Sequence, residues 1–136
     1  MRTALFLLCA GIFLVSCEKQ PGEGGGASIK GTIMKEVRVV LSNPGSVVAT
    51  YPAADEDVFV IFGDNLSPDE RVLTSYDGQF EFQFLRRGNY TIYVYSGDTT
   101  GQVGVDQNRM PIIREVEITE RREEIDLGEI WIYDEN

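Results

Sequence analysis

Histidine is missing from all 136 residues, and cysteine occurs only at Cys9 and Cys17. Without histidine there is no Ser-His-Asp or Cys-His arrangement and no imidazole base. With both cysteines near the start, the rest of the chain has no thiol, no disulfide and no zinc site of the Cys/His type. Basic residues are also scarce. Twelve Lys and Arg stand against 22 Asp and Glu, for a formal net charge of −10. The basic residues are scattered along the sequence, so no nucleic-acid footprint is expected. An acidic body also disfavours close contact with anionic surfaces. Amphipathic helix periodicity and internal repeats are absent as well.

The first residues form the longest apolar stretch. Arg2 supplies a positive charge, and Ala4 to Val15 is interrupted only by Cys9 and Gly11. This is too short for a comfortable permanent span and has the pattern of an export signal. It closes on Leu14-Val15-Ser16-Cys17, which resembles the bacterial lipobox. The resemblance implies removal of residues 1–16 and lipidation of Cys17, whose thiolate is the nucleophile for such chemistry. Glu18 after the cysteine, rather than Asp, is compatible with transit to the outer membrane of a Gram-negative cell. Which side of that membrane the protein faces stays open. Residues 17–27 hold Pro21, Gly22, Gly24, Gly25 and Gly26 with almost nothing to bury, and are expected to be a flexible tether.

Residues 28–136 are a series of short runs rich in Val, Ile, Phe and Tyr, punctuated by Gly, Pro, Asn and Asp. Strands are expected over Ser28–Met34, with Gly31 as a bulge, and over Val37–Leu41 and Val47–Tyr51, flanking a Ser42-Asn43-Pro44-Gly45-Ser46 turn. Val58–Phe62 reads as a strand buried on both faces, and Arg71–Ser75 as a short one. Asp77-Gly78 is a hairpin turn. After it, Phe80, Phe82 and Phe84 alternate with polar residues, so all three are expected on one apolar face. Tyr90, Ile92 and Val94 face inward on the following strand, with Thr91, Tyr93 and Tyr95 opposite. Ile112–Ile118 and Ile125–Tyr133 supply the last two strands. Seven or eight short strands with no helix make an all-β, antiparallel two-sheet sandwich.

Asp77-Gly78-Gln79-Phe80-Glu81-Phe82, Leu85 and Gly88-Asn89-Tyr90-Thr91-Ile92-Tyr93-Val94 resemble the carboxypeptidase regulatory-like domains. Ile29-Lys30-Gly31-Thr32-Ile33 is similar to their first strand, and Val116–Ile118 with Asp126–Ile130 to their last two. The resemblance implies a transthyretin-like sandwich and says little of function.

Asp55, Glu56 and Asp57, or Asp64, Asn65 and Asp69, offer oxygens for calcium, but their spacing matches no EF-hand, and solvated loop charges are the simpler reading. No cofactor is expected. Tyr93, Tyr95, Trp131 and Tyr133 are candidates for a ligand-facing aromatic platform, against the alternative that they pair across strands. No pair of carboxylates is marked as an acid–base couple. The expectation is a non-catalytic, lipid-anchored envelope module. It is held to the membrane through Cys17 and presents its end loops, Asn43–Asp57 and Ser96–Met110, to an envelope protein or a glycan. The alternatives are a structural subunit that associates through strand edges and a carbohydrate-binding module.

Overall fold

The computed structural model describes residues 20–39, 46–97 and 109–135. The expected signal segment, Cys17, residues 40–45 with most of the expected Ser42–Ser46 turn, and residues 98–108 of the expected Ser96–Met110 loop lie outside the described residues. Eight strands and no helix are found among them: β1 (Glu23–Val39), β2 (Ser46–Pro52), β3 (Asp57–Phe62), β4 (Glu70–Leu73), β5 (Gln79–Leu85), β6 (Gly88–Gly97), β7 (Arg109–Ile118) and β8 (Glu124–Glu135).

They form two four-stranded sheets. In the first, the long β1 is central. One of its edges pairs antiparallel with β5 and then β2, end to end. The other edge pairs with β8, and this pair is parallel, from Ser28↔Glu124 to Arg38↔Glu135. The second sheet runs β4-β3-β6-β7 and is antiparallel throughout. The all-β two-sheet sandwich is therefore as expected, with one parallel pair in it.

Alternation builds the core. Ile29 and Ile33 of β1, Phe80 and Phe82 of β5, and Ile130 and Ile132 of β8 face Val58, Val60, Tyr90, Ile92, Val94 and Ile118 of the second sheet. Tyr90 is the largest fully buried side chain. Its hydroxyl accepts from the Gly22 N–H at 2.9 Å and donates to the Arg86 carbonyl at 2.7 Å. A buried phenol needs such partners. Burial also raises the Tyr90 pKa above the usual tyrosine value, against the pull of those hydrogen bonds.

Several local expectations are corrected. The strands expected over Ser28–Met34 and Val37–Leu41 are one strand, because nothing between Met34 and Val37 interrupts the extended backbone. Phe84 does not join Phe80 and Phe82. It has a φ of 58° and is 67% exposed, and Leu85 fills the core in its place. The left-handed residue breaks the alternation, since two successive residues then turn away from the core. The bulge expected at Gly31 has its extra residue on the partner strand: Lys30↔Asp126 is followed by Thr32↔Glu129, and Gly128 there has a φ of 67°. Phe59 and Ile61 of β3 are only half-buried, so that strand is fully buried on one face alone.

The tether also ends sooner than its composition suggests. From Gly22 onward the glycine run belongs to the fold, and Ala27 lies in the core. A Cβ on Gly25 would sit 1.9 Å from the Leu85 carbonyl oxygen. That glycine serves close backbone approach rather than flexibility.

Candidate functional site

Alternation that sends Tyr90, Ile92 and Val94 inward puts Tyr93 and Tyr95 on the outer face of the second sheet. Register places Arg71, Phe59, Tyr93 and Ile113 in one row across all four strands. The Phe59 and Tyr93 rings stack, with centroids 5.0 Å apart and planes 14° apart. Tyr95 meets both edge-on, at 6.0 Å and 5.6 Å. Around this cluster Leu73, Ile113 and Tyr95 are exposed at 52%, 50% and 40%, high for apolar groups on a strand face. An ion pair, Arg71 Nε to Asp57 Oδ1 at 2.7 Å, lies beside the cluster. Partial burial, then the neighbouring Tyr95, raises the Tyr93 pKa above the ordinary tyrosine value.

Trp131 and Tyr133 do not join this cluster. Ile130 and Ile132 point inward from β8, so Trp131 and Tyr133 lie on the outer face of the first sheet, across the sandwich from Tyr93 and Tyr95. The four expected aromatics are thus split into two pairs. Tyr133 is capped by Arg38, whose guanidinium carbon stands 4.8 Å above the ring. Arg38 in turn bonds Glu36 at 2.7 Å. That pair serves packing and charge satisfaction.

The acidic loops are engaged internally. Glu56 pairs with Lys35. Asp69 accepts from the Phe62 N–H at 2.7 Å and from the Asn65 side chain at 2.8 Å. Among the described residues no cluster of three or more metal-ligating side chains occurs. Of the two end loops expected to meet a partner, residues 43–45 and 98–108 lie outside the described residues, and 46–52 are strand β2.

Residue-by-residue reading missed a second feature. The start of β1, the β5–β6 turn and the β7–β8 turn meet at one end of the sandwich. They line a groove of about 1180 Å³ that contains Arg86, Arg87, Arg121 and Arg122 with a single carboxylate, Glu117. The signal was two Arg-Arg dipeptides, both in turns. They become neighbours only once the topology puts those turns at the same end.

No family model matches this chain, and no curated protein matches it. Among solved structures it is similar to a candidate carbohydrate binding protein from Pseudomonas aeruginosa, at 12% identity and a TM-score of 0.46, over 83% of this chain and 91% of that one. It is also similar to 5-hydroxyisourate hydrolase from Klebsiella pneumoniae, at 17% identity and a TM-score of 0.40, over 75% of this chain and 90% of that one. A third is (S)-allantoin synthase, at 13% identity and a TM-score of 0.42, over 76% of this chain and 42% of that one. None is close enough in sequence or geometry to carry a role across.

Proposed function

We propose that this chain is a lipid-anchored outer-membrane protein whose sandwich is a non-catalytic binding module, and that the outer face of the β4-β3-β6-β7 sheet receives a protein partner. The observation that carries this reading is the exposed set Leu73, Tyr95 and Ile113 around the Phe59–Tyr93 stack. An apolar, tyrosine-bearing centre with charged residues at its margin has the anatomy of a protein interface. A sugar platform fits less well. Phe59 and Tyr93 spend one ring face on each other, and Tyr95 stands edge-on to both. A pyranose needs a ring face lying open.

Association through the edges of β4, β7 and β8 is disfavoured too, whereas β2, which borders the other side of the first sheet, leaves Val47, Val48 and Tyr51 exposed. β4 has only four residues. β7 carries Pro111, Arg114, Glu115 and Glu117, and β8 carries Asp126, Glu129 and Asp134. Short, charged or proline-bearing edges resist pairing with another sheet.

The anchor and the face are tested separately. Mass spectrometry of the protein extracted from membranes is expected to find Cys17 as an acylated N-terminus with residues 1–16 gone. An unmodified Cys17 would refute the anchor. For the face, Tyr95→Ser/Ile113→Ser is expected to abolish co-purification of a partner from crosslinked envelopes while leaving the fold intact. Undiminished co-purification would refute it. Titration of a glycan panel by calorimetry is expected to give no heat; saturable heat lost in the same variant would move the reading to sugars.

A further inference from the structure

We propose that the arginine groove docks onto the phosphates of anionic membrane lipids, so that this end of the sandwich lies against the bilayer that holds the protein. The orientation it gives the bound molecule rests on the lipid-anchor reading above; the lipid affinity itself does not.

Charge is the first support. Lys30, Lys35, Arg38 and Arg71 each have a carboxylate partner, but Arg86, Arg87, Arg121 and Arg122 form no ion pair among the described residues. In a chain of net charge −10, the lining of this groove holds four arginines against one carboxylate, Glu117, with Glu120 and Glu123 on the same turn as Arg121 and Arg122. Guanidinium groups suit phosphate because their planar fork of donors matches two of its oxygens.

The groove is also organised. The Arg86 side chain lies over Gly24, and its Nε is buried with no hydrogen-bond partner among the described residues. Glu123 fixes the other wall. Its carboxylate accepts from the backbone N–H groups of Thr119 at 2.7 Å and Glu120 at 3.0 Å, which shapes the turn that presents Arg121 and Arg122. Those hydrogen bonds, first to Glu120 and then to Thr119, hold the Glu123 carboxyl below its ordinary pKa.

Chain length is the third support. Gln20 and Pro21 are part of the groove wall, and only three peptide steps separate Gln20 from Cys17. Three residues reach about 11 Å when fully extended. A lipid on Cys17 therefore leaves the arginine end nowhere to be except close to the headgroups. The repulsion expected between an acidic body and an anionic surface is met by turning its basic end inward.

The test uses residues 17–136 made without the signal segment and hence without lipid; all of the described fold lies within it. The probes are vesicles of phosphatidylcholine alone or mixed with phosphatidylglycerol, at low salt, read by co-sedimentation. Binding is expected only with phosphatidylglycerol. A basic side chain near an anionic leaflet contributes about five-fold in affinity. Reversing two of them, in Arg121→Glu/Arg122→Glu, is therefore expected to cost about 25-fold or more. Arg87→Glu, also at an exposed position, is a second variant expected to weaken binding. Arg109→Glu/Arg114→Glu makes the same change of net charge on β7 and is expected to leave binding nearly unchanged. No binding to either vesicle, or equal losses in the groove and β7 variants, would overturn the proposal. Acylation of Cys17 is read independently by mass spectrometry, so failure of the anchor and failure of the groove are told apart.

Discussion

The two outer faces of the sandwich are built from the same alternation but are finished differently. On the first sheet, outward charged groups of β1 and β8 satisfy one another, while Val47 and Val48 of β2 and Phe84 of β5 are left exposed. Lys30 pairs with Glu124, and Arg38 with Glu36 while it covers Tyr133. On the second sheet, an aromatic stack is ringed by exposed apolar side chains whose apolar surface finds no cover among the described residues. The difference teaches that aromatic content alone does not mark a site. Tyr133 and Tyr95 look alike in sequence; one is capped by an arginine and the other is left 40% exposed.

That contrast predicts where substitutions will be felt. The largest effect is expected at Lys35, on the inner side of β1 level with the buried Ile132. Lys35 is 18% exposed and Glu56 23%. Lys35→Met would leave Glu56 half-buried without its cation and is expected to cost about 2 kcal/mol in urea denaturation. A cost near zero would mean that the Lys35–Glu56 pair contributes nothing net to stability. Next comes Phe59→Ala, which removes the stack on Tyr93. About 1.5 kcal/mol is expected by the same measurement, combining the lost ring pair with modest burial. At the rim of the open face, Tyr95→Ser/Ile113→Ser is expected to change stability by no more than about 0.5 kcal/mol, as exposed positions do. Partner capture should nevertheless be lost.

The smallest effect is a pH dependence. Burial lowers the Lys35 pKa, but the hydrogen bond and charge of Glu56, with Asp134, more than offset it and leave the pKa above the ordinary 10.5. A group whose pKa rises on folding contributes fully below its unfolded value and loses that contribution as pH climbs through its folded value. Stability of the native chain is therefore expected to fall more steeply above pH 10.5 than that of Lys35→Met, as followed by thermal melts across that range.

Much of the fold was legible in the sequence, because period-two alternation and turn chemistry are local. Tyr90, Ile92 and Val94 face inward as their spacing says, and Asp77-Gly78 turns the chain between β4 and β5. Three things were not legible, each for a reason of distance. Phe84 keeps the alternation in sequence and breaks it in space through one left-handed residue. Gly22 to Gly26 have a linker's composition, but their role is set by Leu85 and Tyr90, some sixty residues away. The arginine groove exists because three connections converge at one end, which no spacing reveals. The aromatic residues stand out in the sequence, but which of them share a face followed from sheet membership. Tyr93 and Tyr95 belong to one sheet, Trp131 and Tyr133 to the other.

The most direct measurement compares the two faces in living cells. A photo-crosslinking phenylalanine analogue is placed at position 95 or 113 on the open face and at position 133 or 36 on the closed one. The account predicts a discrete crosslinked protein from positions 95 and 113 and none from 133 and 36. The same products from both faces, or none from positions 95 and 113, would contradict it.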